Sequence, residues 1–107
     1  MKHYEGNRRG IQCMVTVNGE TLEPRLDLLN HSPTGFEWGY GGSGPAQLAL
    51  AILADYLGDD DEAIVLHQDF KWAVVAKLAH HNWRLTSQEI RQSVNALKSA
   101  NSASLGA

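Results

Sequence analysis

The 107-residue sequence contains one cysteine, Cys13, which excludes an intramolecular disulfide and any zinc site built from several thiolates. No apolar run reaches the roughly 18 residues that a membrane-spanning helix needs. The stretch Met1–Glu5 lacks the apolar segment of a signal peptide. Basic residues are outnumbered by acidic ones, which leaves a net charge of -3 and argues against direct nucleic-acid binding. We therefore expect a cytoplasmic protein that does not bind a membrane.

Strand features dominate the first 40 residues. His3–Gly6 is short and predicts an edge strand, whereas residues 11–17 alternate between apolar and polar side chains with a period of two. Asn18 and Gly19 then predict a type I′ turn into a returning strand. The sequence therefore predicts a small antiparallel sheet of about three strands in the N-terminal half.

Helix features dominate the remainder of the chain. Pro45–Leu57 is apolar on nearly all sides, which predicts a buried helix with Pro45 in its first position and Gly58 as its C-terminal stop. A second and longest helix is predicted over residues 63–79, and Thr86–Glu89 fits a capping box that starts a third.

These elements predict an α+β fold in which about three helices from the C-terminal half pack against the sheet. The length of the chain allows one domain, which we place at residues 1–98. Residues 99–107 are small and polar and predict a disordered tail.

Half of the ten glycines lie within ten residues, and they are Gly35, Gly39, Gly41, Gly42 and Gly44. Three of them match the spacing G-x-G-x-x-G before the buried helix. A dinucleotide fold is excluded because no second parallel strand follows, and a Walker loop would need lysine where Pro45 stands. Either this loop is architectural, or its backbone amides bind an anion at the helix start, with Ser43 capping the helix or donating to the anion.

Phe36, Trp38 and Tyr40 lie in the same stretch and would share one face of a strand. That face is either core or a platform for stacking on a base or anchoring a protein. The candidate ligand-binding residues are therefore Trp38, Tyr40, Gly41, Gly42, Ser43 and Gly44.

His31, Ser32 and Glu37 are one histidine, one hydroxyl and one acid in a single loop. Proximity in sequence does not make a catalytic triad, so we assign them to loop support through hydrogen bonds and predict no catalytic residue. No histidine pair shows the spacing of a metal-binding helix, and we predict neither a metal nor a cofactor. His80 and His81 lie near the predicted end of the long helix, where a cation is favoured.

A run of acids follows the buried helix and consists of Asp59, Asp60, Asp61 and Glu62. Acids at this place favour the N-terminus of the next helix. The alternative is an acidic patch that meets a basic partner.

The block from His31 to Ala49 resembles the signature of an uncharacterised family of small bacterial, archaeal, plasmid and phage proteins. Phe70, Lys71 and the stretch Trp83–Thr86 are similar to the same pattern, so that the resemblance covers roughly residues 3–92. It implies no established activity and no catalytic residues. The occurrence of the family on mobile elements implies a regulatory or anti-defence role.

Two functions follow from these observations. The first is a small non-catalytic protein that binds another protein, such as a phage or plasmid inhibitor of a host defence system. The alternative is a nucleotide- or phosphate-binding module, a sensor or sponge, which holds a phosphate with residues 39–45 and stacks Trp38 or Tyr40 on a base. A hydrolase using His31, Ser32 or Glu37 is a third hypothesis, which geometry decides. A buried helix that the sheet covers incompletely would favour a homodimer.

Overall fold

The computed structural model describes residues 1–106, with side chains to residue 100. It confirms the α+β fold, although the sheet has four strands because one of them comes from the C-terminal half. In chain order the elements are β1 (His3–Arg9), β2 (Gln12–Val17), β3 (Glu20–Thr21), α1 (Ser43–Leu57), α2 (Asp60–Ala73), a 3-10 turn (Val75–Lys77), β4 (Asn82–Thr86) and α3 (Ser87–Gly106).

The sheet is antiparallel, with the order β3-β2-β1-β4. The prediction of an edge strand at His3–Gly6 was wrong, since Tyr4 pairs with Val17 on one side and with Leu85 on the other. The type I′ turn is confirmed, because Asn18 and Gly19 both have positive φ, 50° and 84°.

Helix α1 is the centre of the core. Its residues 44–54 are all buried between the sheet and the other helices. The helix begins at Ser43, so the prediction of Pro45 in the first helical position was wrong. Proline is still tolerated at the third position, because the first four N–H groups of a helix have no partner within it. Gly58 ends the helix in the left-handed conformation with φ 63°, which confirms the predicted stop.

Helix α2 is shorter than predicted and ends at Ala73. The chain leaves the helix at Val74 because the following 3-10 turn buries Val75, whose C=O accepts the N–H of Gly39 at 3.0 Å. His80 and His81 therefore precede β4 and do not occupy a helix end, which corrects their predicted position.

The capping box at the start of α3 is confirmed. The N–H of Thr86 donates to Oε1 of Glu89 at 3.0 Å, and the N–H of Glu89 donates to Oγ1 of Thr86 at 3.2 Å. Helix α3 extends past residue 98, where the sequence placed the domain limit. The disordered tail was predicted over residues 99–107, and Ala107 lies outside the described residues. The limits of the domain stay a prediction.

Candidate functional site

The aromatic–glycine loop, residues 31–42, is not a strand, and its three aromatic side chains do not share a face. Gly35 and Gly39 have φ of 139° and 87°, so the backbone turns just before Phe36 and again between Trp38 and Tyr40. As a result Trp38 is 1% exposed and Tyr40 is 52% exposed, while Phe36 is half-buried. The expectation of a common aromatic face was therefore wrong.

Trp38 fastens the middle of the loop to the sheet. Its Nε1 donates to the C=O of His80 at 2.8 Å, and its ring meets the edge of Trp83 with centroids 5.6 Å apart. The guanidinium carbon of Arg8 lies 4.9 Å from the centroid of the Trp38 ring. Trp38 thereby joins β1, β4 and the segment that precedes β4.

Arg8 also holds Glu37 through two parallel hydrogen bonds. Its Nη2 donates to Oε1 at 2.7 Å and its Nη1 to Oε2 at 3.0 Å, while Nε donates to the C=O of His80. The hydrogen bond from Arg8 lowers the pKa of the Glu37 carboxyl, so this acid is ionised and already paired.

Gln47 fastens the start of the loop to α1. Its Oε1 accepts the N–H groups of His31 and Ser32 at 2.8 and 3.1 Å, and its Nε2 donates to the C=O groups of Pro24 and Leu29 at 2.6 and 3.1 Å. Gln47 is fully buried, and its amide is satisfied on both sides. The sequence prediction missed this role, for which the signal was a single amide inside an apolar helix.

The three residues of the hydrolase hypothesis each have a partner outside their set. Nε2 of His31 lies 3.0 Å from Nε2 of His67, Ser32 donates from Oγ to the C=O of Gly35 at 2.7 Å, and Glu37 is bound to Arg8. No hydrogen bond of the described residues joins any two of His31, Ser32 and Glu37 through their side chains. The structure does not assemble a catalytic array from them.

His67 is buried on α2. Its Nδ1 donates to the C=O of Ile64 at 2.6 Å, which leaves Nε2 to accept a hydrogen bond from Nε2 of His31. Burial lowers the pKa of His67, and the neighbouring charges of His31 and Lys71 act in the same direction. This histidine pair forms part of the structural support beneath the loop.

Two glycines of the loop and Gly44 in the first turn of α1 give space to neighbouring side chains. A Cβ added to Gly41 would overlap the ring of Trp72, one added to Gly42 would lie 2.5 Å from the Tyr40 ring, and one at Gly44 would lie 2.6 Å from Cβ of Glu37. Gly42 is the N-cap of α1 and no side chain bonds to the cap, so the expectation that Ser43 caps the helix was wrong.

A cleft of about 760 Å³ separates the start of β2 from the aromatic–glycine loop. Its rim carries exposed apolar side chains, with Ile11 97%, Met14 55% and Tyr40 52% exposed. Trp72, exposed to 59%, lies against Gly41 beside it. The cleft lining consists of Ile11, Gln12, Cys13, Met14, Ser32, Thr34, Gly35, Phe36, Glu37, Tyr40, Ser43 and Gly44.

The acidic residues that follow α1 are mostly engaged within the chain. Asp59 accepts the N–H of Glu62 at 3.1 Å and caps α2. Asp60 accepts two hydrogen bonds from Arg25, at 2.8 and 3.0 Å, and Glu62 is paired with Lys98. Asp61 is exposed and lies in the first turn of α2.

Residues 4–96 match DUF6166, a family of unknown function. The chain belongs to this family. The match extends from β1 into α3 and so includes all of the sheet except His3, together with the lining residues of the cleft. Comparison with curated proteins and with solved structures finds no match. Within the described part of the chain, no helix is long and apolar enough to cross a membrane, and no three metal-binding side chains come together.

Proposed function

We propose that this member of DUF6166 is a non-catalytic binding protein that holds a protein partner at the cleft beside the aromatic–glycine loop. The observation that carries the proposal is the gathering of exposed apolar side chains there. Ile11, Met14 and Tyr40 line the cleft, and Trp72 lies against Gly41, the residue after Tyr40. We call these four side chains the cleft rim. Aromatic residues and methionine are enriched in protein interfaces, and buried aromatic anchors supply much of their binding energy.

The support beneath the rim favours this function. Trp38, Arg8 and Glu37 bind the loop to the sheet, and Gln47 binds its first residues to α1. A loop that is already held in place loses less conformational entropy when a partner binds.

The charges of the cleft favour a protein over a phosphate. Among the described lining residues there is no lysine and no arginine, and the ionised carboxyl of Glu37 lies there. Arg8, which stands opposite Cys13 in the ladder, already makes two hydrogen bonds to Glu37. A phosphate would meet one negative charge and only neutral donors in this cleft.

The test compares three immobilised proteins exposed to a bacterial lysate. They are the wild type, the rim variant Tyr40→Ser/Trp72→Gln, and the control Leu26→Ser, which changes an exposed apolar side chain outside the cleft lining. We expect a protein that the wild type and the control retain and the rim variant loses. The purified partner should bind the rim variant at least about tenfold more weakly in calorimetry, a loss of about 1.4 kcal/mol. Equal retention by all three proteins would contradict the proposal.

The class of partner is a further part of the proposal. The resemblance to plasmid and phage proteins favours a host defence protein. Expression of the wild type or of Leu26→Ser in a strain that restricts phage should then raise the plating efficiency, whereas Tyr40→Ser/Trp72→Gln should leave it low. A second copy of the chain is another protein partner, which sedimentation velocity would detect as a dimer.

Phosphate or nucleotide binding is a second candidate at the same cleft. The observation that favours it is that Ser43 and Gly44, in the first turn of α1, line the cleft, and that no side chain caps this helix. Ser43→Pro removes the Ser43 N–H at a position where proline is well tolerated, and Ser43→Ala keeps it. Inorganic phosphate or a nucleotide should raise the Tm of the wild type and Ser43→Ala but not of Ser43→Pro. An unchanged Tm of the wild type would refute this candidate.

A further inference from the structure

We infer that the cleft receives an extended peptide segment of the partner, which adds a strand to the free edge of β2 beside Cys13. This inference rests on the proposed function and names the part of the partner that binds. It follows from the directions of the backbone groups of β2, from the place where β3 ends, and from the position of the cleft.

The backbone of Cys13 faces away from β1. The N–H of Arg8 donates to the C=O of His81 at 3.0 Å, so the polar backbone groups of Arg8 point towards β4. Arg8 and Cys13 are opposite each other in the ladder, and they therefore form a pair without hydrogen bonds to each other. The N–H and C=O of Cys13 must point to the other side of β2, where Val15 accepts the N–H of Leu22 at 3.0 Å.

Strand β3 ends before it reaches Cys13, for a reason that lies in the sequence. The register pairs Thr16 with Thr21, so Pro24 would stand opposite Cys13 if β3 continued. Proline has no N–H to donate, and the C=O of Pro24 accepts Nε2 of Gln47 at 2.6 Å instead. The third strand therefore turns away, and no hydrogen bond of the described backbone connects it to Cys13.

The cleft lies at the place that β3 leaves uncovered. Residues 11–14 form one wall, and residues 34–37 form the other. A peptide in this space continues the line of β3, donates to the C=O of Cys13 and accepts its N–H. Its side chains alternate between the two faces of the sheet. One set would lie beside the exposed Met14, and the other set would face the lining residues of α1, Ser43 and Gly44. We expect apolar residues at alternate positions, because the rim is apolar.

Linear dodecapeptides selected from a random phage-displayed library on the wild-type chain are the probe. Cys13→Pro removes the N–H that faces the cleft and spares the hydrogen bonds to β1, whereas Cys13→Ala keeps that N–H. The selected peptides should bind Cys13→Ala about as well as the wild type and Cys13→Pro roughly tenfold more weakly, the effect of one lost hydrogen bond. Binding of Cys13→Pro as tight as that of Cys13→Ala would overturn the inference.

Amide exchange measured by NMR on the wild type provides a second readout that needs no variant. The amide of Cys13 should exchange fast in the free protein and slowly with peptide bound. The amide of Met14 faces β1 and should be protected in both states, which serves as the internal control. A Cys13 amide that stays unprotected with peptide bound would overturn the inference even if Cys13→Pro does not fold.

The outcomes separate this inference from the proposed function. Peptides that lose affinity for Tyr40→Ser/Trp72→Gln but not for Cys13→Pro would leave the proposed function standing and overturn strand addition. Peptides that bind all variants equally would count against both, and a selection that yields no peptide would overturn strand addition alone. A dimer of the wild type that Cys13→Pro abolishes would assign the edge to a second copy and overturn the inference of a foreign peptide.

Discussion

Trp38 and Tyr40 are separated by one glycine, yet Trp38 belongs to the core and Tyr40 to the surface. Trp38 has a hydrogen-bond partner, an aromatic neighbour and a cation over its ring. Tyr40 lies on the backbone of Gly42 and lines an open cleft. One loop therefore contains an anchor and a binding surface, and the turn at Gly39, with φ 87°, separates them.

The strongest test of this division is the loss of Trp38. Trp38→Ala should lower the free energy of unfolding by about 3–5 kcal/mol, because it empties a buried site and removes a donor from the C=O of His80. Tyr40→Ala should change it by less than about 1 kcal/mol, as is usual for exposed side chains. Urea unfolding followed by circular dichroism measures both values. Equal losses for the two variants would show that the loop is not divided in this way.

Local signals made parts of the fold predictable from the sequence. The turn at Asn18 and Gly19 depends on positive φ at two adjacent residues, and the capping box depends on side chains three residues apart. Gly58 likewise needs only its own conformational freedom to end α1. Each of these features is determined within a few residues.

The central place of β1 and the division of the loop were not predictable in this way. The two neighbours of β1 come from residues 12–17 and 82–86, so its burial depends on contacts far along the chain. Alternation of aromatic residues predicted a strand, but the positive φ at Gly39 turns the backbone between Trp38 and Tyr40 and places their side chains in different environments. Trp72 was not predicted as a residue of the candidate site, because only the fold brings its ring to Gly41.

Two glycines that each lie beneath a tryptophan ring extend the comparison between buried and exposed aromatic side chains. A Cβ at Gly6 would overlap the buried ring of Trp83, and one at Gly41 would overlap the exposed ring of Trp72. Gly6→Ala should lower the free energy of unfolding by about 1–3 kcal/mol, because a packed ring cannot move aside. Gly41→Ala should lower the free energy of unfolding by less than Gly6→Ala does, because the exposed Trp72 ring can move into solvent.

The matched experiment for Gly41 is a double-mutant cycle. If the cost of Gly41→Ala comes from the ring, the same substitution in a Trp72→Ala background should be close to neutral. Thermal unfolding of the four proteins measures this coupling. A cost that persists without the ring, or a loss for Gly41→Ala as large as that for Gly6→Ala, would show that the Trp72 ring does not move aside.

The smallest effect concerns pH and the support beneath the anchored end of the loop. Burial lowers the pKa of His67, so the unfolded chain binds a proton at a higher pH than the folded protein does. The stabilisation from neutral His67 is therefore complete above the ordinary pKa of about 6.5 and is lost as the pH falls from there to the lowered pKa of the folded state. The free energy of unfolding of the wild type should accordingly be lower at pH 5.5 than at pH 7.5. His67→Gln should flatten this dependence, and His3→Gln, which changes an exposed histidine, should leave it intact. If the free energy of unfolding of His67→Gln changed with pH as steeply as that of the wild type, the pH dependence would come from another group.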